Sequence, residues 1–345
     1  CAGASQGGHL EVLQWLRARG CPWDEATTGT AAELGHFELL QWARSQGCPW
    51  NKYTLCGAAL GGHMSILRWA RSNGCPWDAD VLACAAEGGH QQAVQYLLDN
   101  GCPLCSEACS AAARSGNLHV LQMLVNRFVR MDSATLAEAA AGNHMNVIRW
   151  AADRNCEART TMLASAAESG HLEPMEFAVQ RLRLAPDVTT ANAAARGGHV
   201  AVLKWLGHRA CVMRAETCEA AARHGKLDAL KWLVSKGVEL DDAVFVAAVD
   251  GGGLDMLRFL REAQCPLSRK VAVAACECGD EDMLDRLLRW RCPFDYAECL
   301  ERTIEPRVEA WLVAHRHELP PPNALGAMRH GEDSVSGPAL SEHYP

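Results

Sequence analysis

A 27-residue period runs through almost the whole chain. The residue that opens a helical run after a glycine turn, His in the segment Gly-His-Leu, recurs as His9, His36, His63, His90, Asn117, His144, His171, His199, Lys226, Gly253, Asp280 and Arg307. Every interval is 27 residues except one of 28. A unit of this length is one supersecondary element that cannot bury its apolar face alone, so neighbours must stack. The period therefore displaces the two or three separate globular domains that 345 residues would otherwise suggest.

Residues 9–35 typify the unit. Leu10, Val12, Leu13, Trp15 and Leu16 have the i, i+3, i+4 spacing of an amphipathic helix. Gly20 supplies a left-handed C-cap and Pro22 prevents continuation. Asp24 has the short acceptor side chain of an N-cap, and Asn51, Asp78, Asp132, Asp241, Ser268 and Asp295 share its phase. A second helix ends in the small pair Ala31-Ala32, which recurs in nearly every unit and lets successive helices approach closely. Of the 11 tryptophans, Trp15, Trp42, Trp69, Trp150, Trp205 and Trp232 share one phase, and Trp23, Trp50 and Trp77 another. Such regularity predicts an inter-repeat core stripe rather than a ligand cage.

Cys21, Cys48, Cys75, Cys102, Cys156, Cys211, Cys265 and Cys292 also share a phase. Equivalent positions on stacked helices lie roughly 8–10 Å apart, whereas a disulfide needs Cα atoms within roughly 4.4–6.8 Å. The ladder is expected to hold small, buried, reduced thiols in a reducing compartment, cytoplasmic or nuclear. The His phase looks at first like a metal ladder. Asn117, Lys226, Gly253, Asp280 and Arg307 fill it elsewhere, so a polar residue starting a helix is the better reading.

The segment Gly-His-Leu-Glu-Val-Leu-Gln-Trp-Leu, followed by Gly-Cys-Pro-Trp-Asp, resembles an ankyrin repeat, with Gly-Cys-Pro-Trp standing where that family carries Gly-Ala-Asp-Val. The resemblance covers residues 1–314. It implies an all-α, ankyrin-type α-solenoid of about twelve helix-turn-helix repeats. The family's usual unit is 33 residues with a Thr-Pro-Leu-His opening. The six missing residues fall between Asp24 and Ala31, so the β-hairpin fingers should be shortened or absent. Ankyrin arrays generally bind proteins on their concave side, which makes a non-catalytic protein-interaction scaffold or adaptor the functional expectation, as a monomer.

One phase, three residues before each His register, varies while its neighbours do not. It carries Glu33, Leu60, Glu87, Arg114, Glu168, Arg196, Arg223, Asp250 and Glu277, and also Gln6 and Ala141. These are the candidate protein-binding residues, able to steer and select a partner.

Composition narrows the alternatives. With 33 Lys+Arg against 41 Asp+Glu, a formal net charge of -8 argues against nucleic-acid binding. No apolar run is long enough to span a bilayer. Gly-x-Ser-x-Gly, P-loop, His-Glu-x-x-His and Gly-x-Gly-x-x-Gly signatures are all missing, so neither catalysis nor a cofactor is expected. A rival reading is a metal- or redox-responsive module built on Cys102, Cys105 and Cys109, whose short spacings suit zinc. Only Cys105 among them departs from the repeat phases.

Cys1 falls inside a repeat, so the chain reads as a fragment, and an adaptor region of a larger enzyme is a further alternative. The pattern weakens at 117–143, where Phe128-Val129-Arg130-Met131 replaces the usual turn. It weakens again near Ala185-Pro186, a candidate bend or frayed segment. Arg302, Glu305 and Arg307 suggest a polar terminal cap, and 315–345 a disordered tail.

Overall fold

The computed structural model describes residues 1–251 and 253–320, and among them every regular element is an α-helix. The helices alternate between two kinds. A helices follow the Cys-Pro-Trp turn; B helices follow the Gly-His turn. The chain forms two compact units, Cys1–Val238 and one beginning at Glu239.

In the first unit the A helices are Ala2–Gln6, Glu25–Glu33, Lys52–Leu60, Ala79–Glu87, Glu107–Arg114, Ser133–Ala141, Thr160–Ser169, Val188–Gly197 and Ala215–Arg223. The B helices are Leu10–Ala18, Phe37–Ser45, Met64–Ser72, Gln91–Asp99, Leu118–Asn126, Met145–Asp153, Leu172–Gln180, Val200–His208 and Leu227–Ser235. Each A helix packs intimately on the next A helix, whereas successive B helices barely touch. Side-chain size is the cause. The A helices meet through fully buried alanine pairs such as Ala58-Ala59 and Ala85-Ala86, while the B helices contribute Leu13, Leu40, Leu67 and Leu97 to the core. No strand occurs among the described residues, so the fingers are absent there.

The two turns of the unit obey different rules. At the B-to-A turn Gly74 has φ +81°, and a Cβ built on it meets nothing within 4 Å. The same place accepts Phe128, Asn155 and Ala210, all with positive φ. Phe128 is 91% exposed, and Val129 fills the buried cysteine position, so the weak unit keeps its turn. At the A-to-B turn Gly62 also has positive φ, +71°, but a Cβ there would lie 2.5 Å from Nδ1 of His90 in the next repeat.

Two ladders of polar bonds cross the repeat boundaries. His63 Nε2–H donates to the Glu33 carbonyl (2.9 Å), His90 to Leu60 (2.9 Å), His144 to Arg114 (3.0 Å) and His36, more weakly, to Gln6 (3.4 Å). The histidines occupy the N-cap position of their B helices, yet none of these four side chains caps its own helix. They satisfy instead the carbonyl left unpaired at the end of the A helix one repeat earlier. The second ladder is of thiols. Cys48, Cys75, Cys102, Cys156 and Cys211 donate to the carbonyls of Asp24, Asn51, Asp78, Asp132 and Asp187, at 3.2–3.5 Å. Burial pushes Cys48 to about 11 and Cys75 to about 12.

The tryptophans do not form the buried stripe expected of them. They are half-buried, and Trp15 is 53% exposed. Trp23 meets Trp42, and Trp50 meets Trp69, edge to face at 5.9 and 5.6 Å. Arg17, Arg44 and Arg71 cover Trp23, Trp50 and Trp77 at 4.0–4.1 Å. Leucine and alanine already fill the space between helices, leaving the indoles as an outer seam sealed by guanidinium groups. Capping is also less uniform than the phase suggests: Asn51, Asp78 and Asp132 accept backbone N–H bonds, whereas the Asp24 side chain does not. The extra residue falls in the connection between Leu172–Gln180 and Val188–Gly197. Arg183 takes φ +59°, and a capping box at Asp187 and Thr190 restarts the helix.

The second unit contains Asp242–Gly251, Leu254–Glu262, Arg269–Cys278, Glu281–Arg289, Tyr296–Arg302 and Pro306–His315. Its thiol ladder continues, Cys265 to Asp241 and Cys292 to Ser268. The last register is displaced: Glu305, rather than Arg307, is the N-cap, because Pro306 starts the helix. The helix reaches His315, and the Phe294 N–H donates to the Pro320 carbonyl at 3.0 Å. The rest of the expected tail, 321–345, lies outside the described residues.

Candidate functional site

The variable phase falls on the last turn of each A helix. Its backbone carbonyls are engaged by the histidine ladder at Glu33, Leu60 and Arg114, while the side chains project outward. Glu33, Arg114, Glu168, Arg196, Arg223, Asp250 and Glu277 are exposed; Leu60 and Glu87 are half-buried. The fold thus fixes the main chain at this phase and leaves the side chain open to variation.

Several of these side chains pair with one another along the stack. Arg114 lies 2.9 Å from Glu138 and 3.5 Å from Glu87; Arg196 lies 3.6 Å from Glu168. Arg223 reaches Glu219 on its own helix at 3.9 Å, and Arg302 reaches Glu277 at 3.4 Å. Lys52 bridges Asp78 and Asp80 of the following repeat at 2.6 Å each. Those bonds raise the Lys52 ammonium, and the Lys52 bond holds Asp78 below the usual carboxylate range.

Glu33 and Leu60 come together in a cleft of about 400 Å³ over three successive A helices. Its lining also includes Glu25, Tyr53, Cys56, Gly57 and Cys84. Gly57 makes the close approach: a Cβ there would lie 2.8 Å from the Gly29 carbonyl oxygen. Tyr53 stands 61% exposed at the rim. Neither the Glu25 nor the Glu33 carboxylate has a cationic partner among the described residues. The sequence reading missed Glu25, Tyr53, Cys56 and Cys84; the available signal was a pair of glycines, Gly29 and Gly57, inside helices, where the next repeat carries Cys56 and Cys84 in their places.

The three cysteines of the rival reading do not converge. Cys102 donates to the Asp78 carbonyl at 3.3 Å and Cys105 to Ala79 at 3.4 Å, while Cys109 is fully buried and raised to about 12 by burial. Among the described residues no group of three or more His, Cys, Asp or Glu is placed to hold a metal ion. No helix of the described residues is long and apolar enough to cross a membrane.

These elements define a helical-repeat solenoid of ankyrin-like helical hairpins. No family model matches the chain, and no curated protein matches it. Among solved structures, the human ASB11 ankyrin repeat domain is similar at 19% identity, covering 43% of this chain and 80% of that one, with a TM-score of 0.36. Two structures of the pentatricopeptide repeat protein PPR10 in complex with an 18-nucleotide psaJ RNA element match at 14% identity and TM-score 0.38. They cover 92% of this chain, which spans 57% of theirs.

Proposed function

We propose that this chain is a non-catalytic protein-binding scaffold, and that the A-helix face of the first unit receives the partner. The carrying observation is the cleft at Gly29 and Gly57, with its exposed Tyr53 ring and the uncompensated carboxylates of Glu25 and Glu33. A phenol face beside two carboxylates and an apolar floor favours a partner segment offering a lysine or arginine side chain with an aliphatic stem. An acidic chain and reduced ladder thiols fit a protein partner in a reducing compartment better than a phosphate backbone.

Charge reversal at Arg114 or Arg196 is a poor probe, since it sets a carboxylate against Glu87 and Glu138, or against Glu168. The sharper test is selection from a random peptide library. The parent should enrich Lys- or Arg-bearing peptides, and the Glu25→Lys/Glu33→Lys double variant should lose them by at least about tenfold while keeping its helical content. Enrichment unchanged by the double variant would sink this placement of the site.

A further inference from the structure

From Cys48 onward each ladder thiol is spent on a carbonyl of the preceding repeat. Two pairs outside the ladder behave differently. Cys56, on Lys52–Leu60, and Cys84, on Ala79–Glu87, stand one repeat after Gly29 and Gly57, the two positions at which the preceding pair of A helices makes its close approach, and both line the same cleft. They are 28 residues apart, one more than the repeat, and this offset turns them toward one another across the seam between A helices. In the second unit Cys276 and Cys299 are likewise two thiols outside the ladder on adjacent packed helices.

The two pairs differ in access. Cys276 and Cys299 have no exposed surface at all. Cys84 is half-buried, and both it and Cys56 line the cleft of about 400 Å³, through which a small solute can reach the sulfur atoms. Two thiols placed at the close approach of adjacent A helices are within reach of a disulfide by rotation of their side chains.

We propose that Cys56 and Cys84 form a peroxide-oxidisable dithiol that closes to a disulfide between adjacent repeats. The Cys84 sulfur attacks one oxygen of hydrogen peroxide, breaking the O–O bond, and leaves a sulfenic acid with release of one water. The Cys56 sulfur then attacks the sulfenic sulfur, the S–O bond breaks, and the oxygen leaves with the Cys56 proton as a second water. Two thiols and one peroxide thus become one disulfide and two waters, the sulfurs losing two electrons and the peroxide gaining them. Cys84 is the attacking thiol because it is the more accessible of the two, half-buried where Cys56 is buried. The product ties Lys52–Leu60 to Ala79–Glu87 beneath Tyr53. This proposal stands apart from the identity of any partner.

The test uses the full chain, treated with hydrogen peroxide near stoichiometry, alkylated, and mapped by mass spectrometry without reduction. The expected result is a chain lighter by two hydrogens, with a Cys56–Cys84 cross-linked peptide that disappears on adding dithiothreitol. It should form at least about tenfold faster than any Cys276–Cys299 link, because access controls the oxidation rate. In Cys56→Ser, Cys84 should persist as a sulfenic acid that dimedone traps, and Cys84→Ser should abolish both products. Oxidation scattered over the ladder thiols, or a Cys276–Cys299 link forming as fast, would overturn the proposal. So would a parent chain accumulating sulfenic acid at Cys84 with no cross-link.

Discussion

The two turns of each repeat both use glycine, for unlike reasons. At the B-to-A turn only the sign of φ matters, and the chain itself places Phe128, Asn155 and Ala210 there. At the A-to-B turn the sign of φ and the absence of a side chain both matter, because the next repeat's imidazole occupies the space a Cβ would take. One turn shapes a unit; the other joins units. A recurring residue therefore reports a local requirement in the first case and a tertiary one in the second.

The largest effect expected from this contrast is at Gly62. Gly62→Ala combines positive-φ strain with overpacking against His90 and should cost about 2–4 kcal/mol. Gly74→Ala carries the strain alone, about 1–2 kcal/mol. Urea denaturation of the two variants compares them directly, and equal losses would dissolve the distinction between the turns.

Next comes the imidazole. His63→Ala removes a donor from the Glu33 carbonyl and should cost about 1–2 kcal/mol. His171 makes no such bond among the described residues, and Asn143 takes the glycine position in the turn that would face it. His171→Ala should accordingly cost less than about 1 kcal/mol. Matching losses in the two variants would show that the bond contributes little.

The smallest effect per residue lies in the thiol ladder at the opposite turn. Its thiols are raised by burial from 9.0 to about 11 at Cys48, about 12 at Cys75 and about 11 at Cys102. A folded thiol that keeps its proton longer than the unfolded one adds stability that is fully present below pH 9.0 and is lost as pH rises through the folded values. The urea midpoint should fall between about pH 9 and 11, and less steeply in the Cys48→Ala/Cys75→Ala/Cys102→Ala variant. Parallel slopes would assign the loss to other groups.

Helices and turns were legible because their signals are local. Gly20, Pro22 and the Leu10, Leu13 spacing act within a few residues, and the period repeats the message. The histidine was read as opening a helix, which is where it sits, but its bond spans 30 residues and no local pattern reveals that direction. The tryptophans were misplaced because phase shows which residues align, not how far they are from solvent. Glu33 and Leu60 were singled out by the variability of their phase. Glu25 and Tyr53 were not, because the cleft arises from a helix approach set by Gly57. Arg307 was misregistered because the last connection is irregular, and Pro306 rather than the period begins that helix.

Both ladders point one way along the chain: the donor always belongs to the later repeat and the acceptor to the earlier one. On a ribosome this gives assembly a direction. Each newly emerged hairpin holds open carbonyls until the next one arrives to close them, so the growing end is always the least finished part. Pausing synthesis after any B helix would strand one incomplete boundary rather than a misfolded domain.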